Sequence, residues 1–337
     1  MNCSISQALK SIAGKRILLV GDVMLDSYIH GETVRVSREA PVIVVRKESI
    51  EHRLGGAANT AANLAALQVK TEIAGWVGHD DGGGQIRKML LERGIDTSAL
   101  ASADIGTQVK TRVMAGAFGT TKQQVLRLDE DPKHLPPQEF VDDLLALIQE
   151  RSASVDAVVL SDYGGGVVGE QVIHLAQELV RSGKVVCVDS RHRLHLFSGM
   201  TIVTPNIPEA EEQLNRVIAS QEDALSAGEE LLATLDLQAC LLTQGRAGMT
   251  LFERDQEPLH VDIIGEDEVT DVTGAGDTVI ATFSAALAAG LGMQNATKLA
   301  NCAAGVVVCK AGAAVAQPQE VIDAATQVGL ELLPWEA

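Results

Sequence analysis

"DEVTDVTGAGDTVIATFSAAL", residues 267–287, passes from a polar, β-branched opening into a long run of small and apolar residues. Gly274-Ala275-Gly276 stands at the junction, and the pattern predicts a helix near 275–290. Small residues let another molecule approach the backbone closely. The first N–H groups of a helix have no intrahelical partner and lie at the positive end of its dipole. The junction is therefore an anion hole suited to a phosphate. Asp277 falls in the first turn among these donors, where a carboxylate can take the proton of a hydroxyl attacking that phosphate. Capping is the competing role for an aspartate there.

Outward from this stretch, the chain alternates strands and helices. "RILLVGD" (16–22) is an apolar strand ending in Gly21-Asp22, and "GGAANTAANLAAL" (55–67) runs glycine-first into an alanine-rich helix. From 136 onward the pattern predicts a helix, strand 155–161, helix 169–182, strands 184–189 and 201–204, helices 207–217 and 221–235, and strand 239–243. A β-rich stretch at 248–263 precedes helices near 275–290, 294–309 and 318–328. Such alternation predicts an α/β fold with a mainly parallel sheet covered on both faces. Residues 25–54 and the hairpin pattern of 107–116 and 123–131 around "AFGTTK" alternate polar with β-branched residues, predicting a small separate sheet.

Composition narrows the function. The formal charge is −18 and aromatics are 3% of the chain, which excludes a basic, base-stacking nucleic-acid surface and disfavours anionic membranes. Five scattered cysteines (Cys3, Cys187, Cys240, Cys302, Cys309) form no C-x-x-C pair. They read as small buried hydrophobes in a reducing, cytoplasmic setting. No apolar stretch is long enough for a membrane span. His192 and His195 have a spacing that suits one helical face but no third ligand, so surface or packing histidines are expected rather than a metal site.

A second glycine motif competes. Gly164, Gly166 and Gly169 in "VVLSDYGGGVVGEQV" (158–172) spell G-x-G-x-x-G, and Asp189 follows twenty residues after Gly169, as in a dinucleotide-binding fingerprint. Here, however, the first glycine comes several residues after the apolar strand, and Gly169 sits where the next helix starts. A dehydrogenase is disfavoured, and no Walker A sequence is present.

"DVTGAGDT" together with "RLGGAANTAANLAAL" resembles the two signatures of the ribokinase-like (PfkB) sugar kinases. "VGDVMLDSYIHGETVRVSREAPVIVV", "VKTRVMAG", "QQVLRLDED", "LSDYGGG", "TPNIPEA", "LLTQGRAGM" and "LANCAAGVVVCKAGAA" follow in the family's order, so the resemblance covers nearly the whole chain. Within the family the text is most similar to heptose 7-phosphate kinases of lipopolysaccharide-precursor synthesis. Those often carry a nucleotidyltransferase domain after the kinase; the chain as read ends at Ala337, so that activity is not expected here.

The resemblance implies a ribokinase-like three-layer sandwich, a single kinase domain over 1–337 with lid strands within about 25–54 and 105–131. It implies Asp277 as general base, with Gly274, Ala275 and Gly276 donating N–H groups to the transferring phosphoryl. Asn206 and Glu209 would act near Mg2+ and the ATP phosphates, Glu209 as the metal-side carboxylate through water. From the residues alone, Asn206 and Glu209 also fit a helix capping box. Thr243 and Gly245 would flank the ATP phosphates, and Asn301 and Gly312 would border the adenine. On the sugar side the resemblance implies Asp22, Gly55, Gly56 and Asn59, with Asp162 and Asp189 at the pocket edge. Lys110, Arg112 and Arg127 on the lid would reach an anionic sugar phosphate. Asp271 and Thr273 would help a monovalent cation such as K+ order the anion hole. Pairing of lid strands between two chains would give a homodimer.

Two departures bear on the substrate. Heptose kinases usually read S-D-Y-G-K-G and D-P-K, where this chain has Gly165 and Asp189-Ser190-Arg191. One lysine is absent and Arg191 takes the other's place, while Arg38 adds a cation near the lid. The expected activity is ATP-dependent phosphorylation of the anomeric hydroxyl of D-glycero-D-manno-heptose 7-phosphate. The alternatives are a PfkB kinase for another sugar or nucleoside and a catalytically silent sugar sensor on the same fold.

Overall fold

The computed structural model describes residues 4–117, 122–264 and 270–335. Cys3, the tip of the predicted 117–122 hairpin loop and the start of the 267–287 stretch lie outside the described residues.

Strand β1 (Arg16–Gly21) occupies the middle of a nine-stranded sheet and shows why the chain folds in layers. Ile17 and Leu19 enter one apolar core, while Leu18 and Val20 enter the other. A strand buried on both faces must be continuously apolar, and its side chains alternate between the two cores. The neighbours of β1 are β4 (Lys70–Gly78) and β8 (Ala157–Asp162), both parallel to it. Beyond β8 lie β9 (Val185–Ser190), β10 (Ile202–Val203) and β11 (Ala239–Thr243), also parallel. Antiparallel β12 (Met249–Glu253) and β13 (Leu259–Val261) close that edge, and β5 (Leu100–Ala103) closes the other. The order is β13-β12-β11-β10-β9-β8-β1-β4-β5. The chain winds from β1 toward β4 and β5 and later returns on the other side through β8. The β1/β8 boundary is thus a topological switch point, and α/β sheets bind ligands at the carboxyl ends of strands there.

Helices cover both faces. Helix α2 (Ala57–Ala66) and helix α8 (Ala275–Ala288) are buried almost all round, as helices of small and apolar residues are when sandwiched in a core. A second sheet runs β3-β2-β6-β7. Its strands are β2 (Val23–Val36), β3 (Ile43–Gly56), β6 (Gln108–Gly116) and β7 (Gln123–Glu130). The β6–β7 hairpin pairs antiparallel and β2–β6 pairs parallel, so the two segments expected from their alternation do form one small sheet. Strand β7 is exposed along its length.

Predicted boundaries shift by a few residues, most at 207–217, where the helix is α6 (Ile207–Leu214). Asn215 then adopts a left-handed conformation and ends it. Three further readings are corrected. His192 lies in a turn and His195 in a single 3-10 turn (Leu194–Leu196), so they share no helical face. Cys309 is exposed, whereas Cys187, Cys240 and Cys302 are buried as expected. Strand 201–204 contracts to the two residues of β10. Among the described residues no helix is long and apolar enough to cross a membrane.

Candidate active site

The G-A-G-D junction forms as its residue types require. Gly274 is the N-cap of α8 with φ +80°, a conformation that favours glycine. A Cβ at Gly274 would stand 2.5 Å from Asn59 Nδ2, so the glycine also leaves room for the α2 side chain that meets the base. Gly274, Ala275 and Gly276 line a cleft of about 730 Å³. The same cleft is lined by Asp189, Arg191, Asn206, Glu209, Thr243, Gly245 and Asn301, residues drawn from four separate stretches of chain.

Asp277 lies beneath this floor, 4% exposed. Its Oδ2 accepts from Asn59 Nδ2 at 2.8 Å. Its Oδ1 accepts from Thr60 Oγ1 at 3.0 Å and from the Tyr163 hydroxyl at 2.9 Å. Burial raises the carboxyl above the usual aspartate range, and the three donors work against that rise. The next residue, Thr278, donates to Asn63 Oδ1 at 2.9 Å, fastening α8 to α2 a turn further along.

The nucleotide-side residues combine local and long-range geometry. Asn206 caps α6, and a reciprocal capping box is present: Asn206 Oδ1 accepts from Glu209 N, and Glu209 Oε2 accepts from Asn206 N, each at 2.9 Å. Arg191 Nη1 approaches Glu209 Oε1 at 3.4 Å. Thr243 N donates to Pro205 O at 2.9 Å, which holds the end of β11 beside Asn206. Asn301 lines the cleft, but its side-chain amide donates to Asp262 O at 2.7 Å. Gly312 is placed differently from the adenine-side position implied by resemblance. It is absent from the cleft lining; its N–H donates to Asp271 Oδ2, and it packs against Arg53 and Tyr28 of the small sheet.

Asp189, at the end of β9, is buried in the cleft wall with Glu209 and Asp277 nearby. Burial first, and then those two carboxylates, push it up to about 8. Among the described residues no group of three His, Cys, Asp or Glu is arranged to hold a metal ion.

On the sugar side the structure redistributes the expected residues. Asp22, at the carboxyl end of β1, accepts from the backbone N–H groups of Tyr163, Gly165 and Val167 at 2.8, 2.9 and 2.9 Å. Its carboxylate thus fastens that loop to the end of β1. A Cβ at Gly165 would meet Asp22 Oδ1 at 2.9 Å, so in this loop conformation glycine lets the carboxylate seat against the backbone. Asp162 is likewise turned inward: Ser190 Oγ donates to it at 2.7 Å, and the half-buried Arg193 forms an ion pair with it. Gly55 and Gly56 end β3, paired with Met24 and Val23. Asn59 faces Asp277 rather than an open pocket.

The lid cations separate into two kinds. Arg112 pairs with buried Asp26 at 2.5 Å, and Arg127 pairs with Asp129 on the exposed edge strand. Lys110 instead places its ammonium 5.7 Å from the centroid of the Tyr163 ring, and Arg191 lies 5.1 Å from the same centroid. Burial and the Arg127 guanidinium push Lys110 downward from its ordinary range.

Tyr163 and Arg193 join the site without a signal in the sequence pattern, whereas Arg191 stands where the heptose kinases carry a lysine. Tyr163 stood inside "SDYGGG", but its meeting with Asp277 spans 114 positions and leaves no local pattern.

A cleft at the carboxyl ends of β9, β10 and β11, floored by a glycine-led helix start over a buried carboxylate, is that of a phosphoryl-transfer enzyme of the ribokinase-like class. The chain belongs to the pfkB family of carbohydrate kinases, whose model matches residues 15–320. Such enzymes transfer phosphoryl groups to alcohol acceptors. It is 40% identical over 325 residues to the bifunctional protein HldE of Caulobacter vibrioides, covering 95% of this chain and 65% of that one. It is 41% identical over 305 residues to HldE of Pseudomonas aeruginosa, covering 90% of this chain and 62% of that one. The chain thus spans less than two thirds of these relatives' length. Among solved structures, Arabidopsis thaliana ribokinase complexed with ribose and ATP superposes with TM-score 0.70 at 19% identity, over 93% of this chain and 98% of that one. Escherichia coli phosphofructokinase-2 in complex with potassium gives TM-score 0.76 at 16% identity, over 94% and 99%. At those identities the likeness shows the fold alone.

Proposed function

We propose that this chain transfers the γ-phosphoryl group of ATP to the anomeric hydroxyl of D-glycero-D-manno-heptose 7-phosphate, giving the 1,7-bisphosphate for ADP-heptose and lipopolysaccharide-precursor synthesis. The observation that carries the kinase chemistry is Asp277, buried under the Gly274–Gly276 floor at the N-terminus of α8. The substrate rests on the motif text that resembles heptose 7-phosphate kinases and on the identity of about 40% to HldE proteins.

In this reading the triphosphate lies along the cleft between Thr243–Gly245 and Gly274–Gly276, whose backbone donors stabilise charge on the transferring group. Mg2+ carried with ATP would neutralise phosphate charge. With no converging three-ligand set among the described residues, Glu209 would act on it through water. Asp271, whose oxygens hold the backbone N–H groups of Thr273 and Gly312, would contribute to a K+ position beside the anion hole.

The acceptor hydroxyl gives its proton to Asp277 as its oxygen attacks the γ-phosphorus and ADP leaves. A carboxylate oxygen accepts about two hydrogen bonds. Oδ1 already takes two, so Oδ2 is the oxygen that receives the proton. The small sheet closes over the sugar and excludes water. Its exposed apolar residues, among them Ile43, Ile50, Leu126 and Leu128, support a homodimer through the lid. The test is coupled ADP release with ATP-Mg2+ and the heptose phosphate. Asp277→Asn is expected to keep sugar binding and lose most turnover.

A further inference from the structure

Among the described residues, Tyr163 is the aromatic side chain that hydrogen-bonds the base. Its hydroxyl donates to Asp277 Oδ1 at 2.9 Å, while its ring lies beside Lys110 and Arg191. Burial and the Asp277 carboxylate push the phenol well above its ordinary range, so it stays protonated and remains a donor. Its position is built from below. Asp22 grips the backbone N–H groups of Tyr163, Gly165 and Val167, fixing the loop that follows β8.

We infer that Tyr163 is a positioning residue for phosphoryl transfer: with Thr60 it pins Oδ1 of Asp277, leaving Oδ2 turned to the acceptor hydroxyl. This rests on Asp277 being the base. The geometry supplies the reason for two donors on one oxygen. A carboxylate free to rotate would present either oxygen, and a base must hold one lone pair in line with the reacting proton. The same donors favour the ionised form, which is the form that accepts a proton. The groups facing Asp277 are Asn59 and Thr60 from α2, Tyr163 from the loop after β8, and the charges of Arg191 and Asp189 at the end of β9. Lys110 reaches Tyr163 from β6, so one ring joins the lid, the loop and the base.

The experiment uses the full chain with 13Cγ-labelled aspartate. Asp277 is assigned as the carboxyl resonance missing from Asp277→Asn, and its titration is followed in the native chain and in Tyr163→Phe. The phenylalanine keeps the ring beside Lys110 and Arg191 and removes the hydroxyl, both its donation to Asp277 and its hydrogen bond with Arg191, whereas Thr60→Val leaves Arg191 untouched. The titration midpoint of Asp277 is expected to move up, and Thr60→Val to move it the same way. With ATP-Mg2+ and the heptose 7-phosphate, kcat for Tyr163→Phe is expected to fall about tenfold with KM little changed. The acid limb of kcat/KM should shift to higher pH with the resonance. An unchanged midpoint in Tyr163→Phe, with Asp277→Asn inactive, overturns the positioning role alone. Native-like turnover by Asp277→Asn overturns the base assignment and the catalytic meaning of the hydrogen bond with it.

Discussion

Asp189 shows how a single residue can tie the cleft to pH. Its carboxyl is pushed up to about 8 by burial and by the Glu209 and Asp277 carboxylates, against about 3.9 for an aspartate in an unfolded chain. The folded state therefore binds this proton more tightly than the unfolded state. The resulting stabilisation is complete below about pH 4 and is lost as pH rises toward 8. Asp189→Asn removes that dependence. Thermal unfolding should show the variant gaining on the native chain as pH rises from 5 to 8; equal gains at both pH values would contradict the assignment. At this scale the sequence was informative where chemistry is local. Gly274 to Asp277 could be read directly, because a glycine-led helix start and a first-turn carboxylate are neighbours in the chain. Asp22 and Asp162 were visible as strand-end acids, but not the destinations of their carboxylates. Loop N–H groups 141 to 145 positions away take the first. Arg193, 31 positions on, takes the second.

Helix α6 is where two meanings of one motif meet. Asn206 and Glu209 form a capping box, which is sufficient reason for their spacing, and they also line the cleft. The two roles separate by substitution. Asn206→Ala removes the side-chain cap and should lower stability by about 1 kcal/mol. Glu209→Gln keeps an oxygen that can accept from Asn206 N, so its unfolding midpoint should stay near native while kcat falls if the charge serves the Mg2+ side. Denaturant unfolding beside steady-state kinetics gives both readings. A Glu209→Gln enzyme with native kcat would leave only the cap. The elements themselves were largely legible from period and punctuation. Strands β1 and β8 are built on the apolar runs 17–20 and 157–160, and α2 and α8 are runs of small residues behind glycines. Element ends were less so, because tertiary pairing sets them. β10 keeps two residues because only Ile202 and Val203 pair with both neighbours.

For the whole molecule, the parallel sheet places the carboxyl ends of β1, β8, β9 and β11 along one edge, and the small sheet brings Lys110 to the same place. Which residue of that sheet faces the core could not be read from alternation, since every strand of it alternates. Folding sorts the three cations by partner. Arg112 and Arg127 are paired with carboxylates within the sheet, and Lys110 alone of the three lies against Tyr163. The outer apolar residues of β7 carry the assembly prediction. Strand edges with exposed apolar side chains invite pairing with another chain. Sedimentation velocity should show a dimer for the native chain and a shift toward monomer for Leu128→Lys; a native monomer would contradict lid-mediated assembly.

Phosphorylation of a sugar phosphate in this cleft, with Asp277 as base, is tested most directly by coupled ADP release with ATP-Mg2+, comparing D-glycero-D-manno-heptose 7-phosphate with ribose, fructose, fructose 6-phosphate and adenosine. Strong turnover is expected with the heptose phosphate and is expected to disappear in Asp277→Asn. Turnover with another acceptor alone, or equal turnover by the variant, would contradict it.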